Sequence, residues 1–219
     1  DRVFMCGEQQ HSSAFVDTFA DLIRMCGGGC RAGAVDLAIG TMGLLAEYNG
    51  IEKASHISEK LTKLTHMNET GFGCALASAQ EGDKAESGLM FPHSLYANAS
   101  RLNGSMTFAE AHTWLGDIAG GLIATMPAES DFANQDIGPL LDKYLKANPD
   151  VPTRERVKAI RFAEMLGAGP VLHGLLCGGG TPETQKMAIR RHVNLDRKKD
   201  LVRKLAQIEA TSKARNTDA

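Results

Sequence analysis

The sequence predicts an all-α antiparallel helix bundle, and three observations support that expectation. There are 28 alanines and 22 leucines against 8 valines, with aromatics at 5%, a balance that favours helices over sheets. Apolar residues recur every three or four positions over most of the chain, which is the period of a helix. The connections are short and marked by Gly, Pro and Asn, so successive helices become antiparallel neighbours. With 219 residues, 43% of them hydrophobic, there is enough chain for one sizeable core, and an all-β sandwich is excluded.

Residues 1–10 begin with Arg2-Val3-Phe4-Met5-Cys6, an extended pattern with no cap or turn before it, and read as a short strand remnant. From about Ser12 the period is helical: Val16, Phe19, Leu22, Ile23 and Cys26 form one stripe, followed by Val35, Ala38, Met42 and Leu45. Gly27-Gly28-Gly29 interrupts this run. Each glycine costs a helix about 1 kcal/mol relative to Ala, so the triplet predicts either a break or the close approach of another backbone or a ligand. Tyr48-Asn49-Gly50 is a stop signal, and Ser55 offers the cap of a second helix bearing Ile57, Leu61, Leu64, Asn68 and Phe72.

The polar stretch 81–87 predicts a loop, and a helix follows around residues 93–102. Asn103-Gly104-Ser105 predicts a turn, after which Thr107 caps a helix with Phe108, Ala111, Leu115, Ile118 and Leu122 inward, stopped at Met126-Pro127. Residues 128–136 read as irregular, 138–146 as a short helix, and the segment around Pro149 and Pro152 as a breaker. Thr153 then caps a helix with Val157, Ile160, Phe162 and Leu166. Thr181, Pro182 and Glu183 take N-cap, N1 and first-turn positions of another, and a last amphipathic helix from about Asn194 carries Leu195, Leu201, Leu205 and Ile208. The bundle is expected over residues 11–210, with 211–219 a frayed tail.

A net charge of −2 excludes a surface built as a whole to hold nucleic acid. No apolar run approaches the roughly 20 residues that span a bilayer, and the first residues lack an apolar signal core, so a soluble cytoplasmic chain with no membrane partner is expected. Five dispersed cysteines suit a reducing compartment.

Cys26 and Cys30, four apart, would face the same way on an unbroken helix, a spacing open to metal ligation or to ordinary packing. The loop from Gly178 to Pro182 gathers free N–H groups at a helix start, suited to an anion or to a plain capped turn. Gly120-Gly121 has the same ambiguity between close packing and a backbone opened for a ligand. The sequence lacks HExxH, GxSxG and GxGxxG, and its 7 histidines are scattered. The basic run from Arg190 to Lys204 reads as a solvated helix face.

Taken together, Arg2-Val3-Phe4-Met5-Cys6-Gly7-Glu8, Gly28-Gly29-Cys30, the segment from Tyr48 to His56, Thr65-His66-Met67-Asn68-Glu69-Thr70 and the segment from Asp117 to Pro127 resemble the 4-hydroxyphenylacetate 3-hydroxylase and 4-hydroxybutyryl-CoA dehydratase family of flavoproteins, leaning to the dehydratase branch. The resemblance implies a bundle like the C-terminal domain of acyl-CoA-dehydrogenase-like flavoproteins. Residues 1–10 would then be the end of a β-barrel belonging to an N-terminal half that lies outside this chain. It also implies FAD shared with that half, a tetramer-like homo-oligomer, and an acyl-CoA or phenolic substrate. Lys53, His56, Asp117, Gly120, Gly121 and Thr125 are the positions it places near flavin or at the subunit interface.

The catalytic match is poorer. Dehydratases of the family hold an iron–sulfur cluster; Cys30 matches one ligand, but Ile23 stands where the family has a histidine, so the usual cluster is not expected. The family's Tyr and Lys beside that Cys are Gly27 and Arg31 here, and its catalytic Glu falls on Gly174, next to His173, which is the candidate base. The implied activity is a dehydratase or vinylacetyl-CoA-isomerase-like reaction. The alternatives are a reduced-flavin hydroxylase of a phenol and a catalytically degenerate oligomerisation domain.

Overall fold

Three long helices dominate the architecture: α1 (Gln9–Tyr48), α2 (Ser55–Gln80) and α3 (Ser94–Ala119). The computed structural model describes residues 7–168 and 179–208, so residues 1–6 of the expected strand remnant, His173, Gly178 and the tail lie outside the described residues, while Gln9 and Gln10, expected to belong to that remnant, are the first residues of α1. The shorter helices are α4 (Leu122–Thr125), α5 (Glu129–Ala133), α6 (Gly138–Tyr144), α7 (Thr153–Ala168), α8 (Pro182–His192) and α9 (Leu195–Ala206). Between α2 and α3, β1 (Asp83–Lys84), inside the 81–87 segment expected to be a plain loop, pairs antiparallel with β2 (Met90–Phe91) just after it.

Short connections force α2 to run antiparallel to α1 and α3, and α7 packs across α1 and α3. The expected core is present: Val35, Ala38, Met42 and Leu45 meet Ile57 and Leu64 of α2, Phe108, Ala111, Leu115 and Ile118 of α3, and Ile160 and Ala163 of α7. α1 ends as expected at Asn49. The Gly50 N–H donates to Glu47 O and the Ile51 N–H to Ala46 O, both at 2.9 Å, with Gly50 at φ +69°, a conformation that favours glycine.

Several expectations are corrected. The glycine triplet does not break α1. Instead, a Cβ on Gly28 would fall inside contact distance of Ala75 Cβ and 2.8 Å from Ser100 Oγ, so neighbouring helices make the close approach there. Asn103-Gly104-Ser105 is helix interior, because Gly104 leaves room for the Arg31 stem, 3.1 Å from where its own Cβ would be. Thr107 donates to Asn103 O (2.9 Å) instead of capping, and Thr153 donates to Asp142 O (2.7 Å). Residues 129–133 form α5 where an irregular segment was expected.

The apolar stripe Val16, Phe19 and Ile23 is exposed, as are Phe72, Phe162, Leu195, Leu201, Leu205 and Ile208. On the first half of α1 the buried face belongs to Asp21, Arg24, Gly28 and Arg31. The helix expected to reach Pro127 is divided at Gly120 and Gly121, whose φ values of +70° and +77° end α3 and start α4. Gly120→Ala is expected to lower stability by about 1 kcal/mol, because a side chain is strained in the left-handed region. An unchanged melting temperature would mean that the chain does not need that conformation.

Candidate functional site

One end of the bundle collects most of the positions singled out in the sequence. The stop at Asn49-Gly50 brings the 51–54 connection to the start of α2, and the antiparallel α2 places that start beside the end of α3. Asn49 ties the region together: its Nδ2 donates to Ile118 O (3.3 Å) and its Oδ1 accepts from Arg156 Nε (2.8 Å). Lys60, one turn after His56, forms an ion pair with Asp117. Lys53, His56, Asp117, Gly120, Gly121 and Thr125 are all exposed at this end. A Cβ built on Gly120 or Gly121 would meet nothing within 4 Å, so of the two readings for this pair, close packing is overturned and an open backbone remains. Arg161 holds the following segment by donating to Pro127 O (2.6 Å) and Met126 O (3.2 Å).

The other half of the bundle is polar inside, which the sequence reading missed. Arg24 donates through Nη1 to Asn98 Oδ1 (2.6 Å), and Asn98 Nδ2 donates to Asp21 Oδ1 (2.8 Å) and Ser94 O (2.8 Å). Arg24 Nε also reaches Gly179 O (3.2 Å), and Gln185 Nε2 reaches Gly180 O (2.7 Å). The described part of the glycine loop before α8 is therefore anchored through its carbonyls, and it reads as a pinned turn.

Deeper in, Arg101 is fully buried and donates to Ser105 Oγ. Arg31 is pushed down to about 10, first by burial, then by the positive charge of Arg101, with Cys30 opposing. A signal for these residues was present. Counting back from Leu45, Met42, Ala38 and Val35 in steps of three and four leads to Arg31, Gly28, Arg24 and Asp21, so they occupy the same face as the core.

Cys26 and Cys30 are free and exposed, and Ile23 is exposed on the same side of α1. An alkyl side chain cannot ligate iron. Among the described residues no group of three or more His, Cys, Asp or Glu side chains is placed to hold a metal. No described helix is long and apolar enough to cross a membrane.

Long antiparallel helices with an apolar half, a polar half and an open double-glycine end define an all-α bundle domain. Within that class the chain belongs to the 4-hydroxyphenylacetate 3-hydroxylase C-terminal family, whose model matches residues 12–207. It is 37% identical over 221 residues to the 4-hydroxybutyryl-CoA dehydratase/vinylacetyl-CoA-Δ-isomerase of Clostridium aminobutyricum, an alignment covering 95% of this chain and 45% of that protein. The solved oxygen-tolerant archaeal 4-hydroxybutyryl-CoA dehydratase from N. maritimus superposes with a TM-score of 0.83 at 33% identity, over 94% of this chain and 42% of that one. The oxygenase component of 4-hydroxyphenylacetate 3-monooxygenase, solved with FAD and 4-hydroxyphenylacetate, shares the fold at TM-score 0.75 and 20% identity, over 84% of this chain and 39% of that one. The chain thus spans less than half the length of these relatives.

Proposed function

We propose that this chain is the C-terminal helical part of an FAD-dependent enzyme resembling 4-hydroxybutyryl-CoA dehydratase/vinylacetyl-CoA isomerase, working without the usual iron–sulfur cluster. The observation that carries this reading is the 37% identity to the Clostridium enzyme across 95% of the chain. The open end fits a flavin: exposed Lys53 suits a phosphate oxygen, and Gly120 and Gly121 leave their backbone accessible. Bound FAD supplies electron and hydride transfer. The chain's own residues bind and orient it, with Asp117 held by Lys60 and the 126–127 carbonyls held by Arg161.

The partner is an N-terminal half, in the same chain or a separate one, and the assembly is a tetramer-like cytoplasmic homo-oligomer. The exposed Phe15, Val16 and Phe19 on α1 offer a face for such a partner. His173, next to Gly174, acts as the base, and acyl-CoA is the substrate class. A second reading, a reduced-flavin-dependent phenol hydroxylase, is favoured by the family model over residues 12–207. A third, an oligomerisation domain that has lost catalysis, is favoured by Ile23 at the ligand position.

The enzyme assembled with its N-terminal half and FAD is expected to convert vinylacetyl-CoA to its conjugated isomer, followed by ultraviolet absorbance. Stoichiometric iron is not expected after anaerobic purification, and a brown, iron-replete protein would sink the cluster-free reading. Phenol hydroxylation without acyl-CoA turnover would select the second reading, and a colourless, inactive assembly the third. His173→Ala is expected to abolish turnover while FAD remains bound; undiminished turnover removes His173 as the base.

A further inference from the structure

At the end of α3 opposite Gly120, a groove of about 640 Å³ opens between the start of α3 and the face of α9. Nothing in the family resemblance uses it. His93, Leu95 and Tyr96 line one side, and Arg197, Leu201 and Lys204 the other, with Lys198 beside them. Arg197, Leu201 and Lys204 lie four and three residues apart and so share one face of the helix.

Three features make this groove more than a solvated surface. Its charge is unbalanced: Arg197, Lys198 and Lys204 have no ion pair among the described residues, whereas the one lining carboxylate, Asp200, already accepts from Arg203 (2.6 Å). Lys199, facing elsewhere, is paired with Asp196. His93 sits at the N-cap of the 26-residue α3 without a side-chain capping bond, so first-turn N–H groups and the positive end of the helix meet the groove. The Nδ1 of His93 is buried with no hydrogen-bond partner, although its main chain is fixed on both sides by Ser78. The His93 and Tyr96 rings, with centroids 4.6 Å apart and planes tilted by 32°, add aromatic surface to the cations.

Cations, a helix N-terminus and aromatic rings lining one volume call for a ligand that is anionic at one part and planar at another. We propose that this groove binds a nucleotide-type organic phosphate, with the phosphate on Arg197, Lys198 and Lys204 and the base against Tyr96 and His93. A helix of 26 residues is about 39 Å long, so a ligand in this groove is a different molecule, in any one chain, from one lying against Gly120 and Gly121. The same chemistry could be presented by coenzyme A or by a dinucleotide.

The test is a calorimetric titration of the full chain with adenosine 3′,5′-bisphosphate, adenosine, inorganic phosphate, coenzyme A and FAD at fixed ionic strength. Adenosine 3′,5′-bisphosphate is expected to bind at least about tenfold more tightly than either inorganic phosphate or adenosine, since both parts of the site are then engaged. Coenzyme A binding as tightly as the bisphosphate, with that affinity lost in Arg197→Ala/Lys198→Ala, identifies that source, and an FAD affinity lost in the same variant identifies the dinucleotide. Every described side chain of α9 is solvent-accessible, so Arg197→Ala/Lys198→Ala is expected to keep the melting temperature and weaken binding at least about tenfold. Tyr96→Ala is expected to weaken the nucleotide and leave inorganic phosphate unchanged. Equal affinity for nucleotide and inorganic phosphate, no binding at all, or wild-type affinity in the double variant would overturn the site. None of these outcomes depends on turnover, so the proposal can fail while the enzymatic reading stands.

Discussion

Gly28→Val is expected to destabilise the protein by about 3 kcal/mol, whereas Gly29→Ala, one residue away, is expected to stabilise it by about 0.5–1 kcal/mol. The opposite signs follow from what each position faces. A side chain at Gly28 would run into Ala75 Cβ on α2 and come within 2.8 Å of Ser100 Oγ on α3. The Ala75 methyl is fixed to its helix backbone and cannot rotate away, so α1 and α2 would have to separate. At Gly29 a Cβ meets nothing within 4 Å, and the substitution only removes backbone freedom from the unfolded chain. For a domain of this size, about 3 kcal/mol corresponds to a fall of roughly 6–12 °C in melting temperature. Matching shifts for the two variants would show that α1 does not pack through Gly28.

The second large effect is expected at Asn98. Asn98→Ala removes the acceptor of Arg24 Nη1 and the donor to Asp21 in one step, leaving two charged groups buried without the amide that joins them. Breaking a buried charged network on one side costs about 3 kcal/mol, far above the value of an exposed pair. Asn98→Leu, which keeps the volume but not the hydrogen bonds, should cost as much, separating lost bonding from lost packing. Thermal denaturation at neutral pH reads both, and a loss below about 1 kcal/mol in each would mean that water replaces the amide.

Sequence reading recovered the apolar half of the bundle because there the inward face is made of residues that announce themselves. Val35, Ala38, Met42, Leu45, Phe108, Leu115 and Ile118 are all buried where periodicity placed them. It failed where the inward face is polar and the outward face apolar. Val16, Phe19 and Ile23 imitate a core stripe but lie outside, and Arg24 and Arg31 imitate a surface but lie inside. Only the phase of the repeat, carried back from Leu45, distinguishes the two. The glycines mislead for a related reason. Gly104 reads locally as a turn, yet its missing side chain is what admits Arg31, a contact 73 residues away in sequence that no local signal reports. Among the candidate site positions, the open backbone at Gly120 and Gly121 could be anticipated as one of two readings, while the aromatic and basic groove beside His93 joins segments about 100 residues apart and could not.

The division of the bundle into an apolar and a polar half also determines its register. If α1 slid along its neighbours by one seven-residue repeat, methylene groups would again meet methylene groups at the apolar end, at little cost. The polar end has no such tolerance. Arg24 would lose Asn98 and Gly179 together, and the notch at Gly28 would no longer face Ala75. The apolar half holds the helices together, and the polar half acts as a key that admits a single alignment.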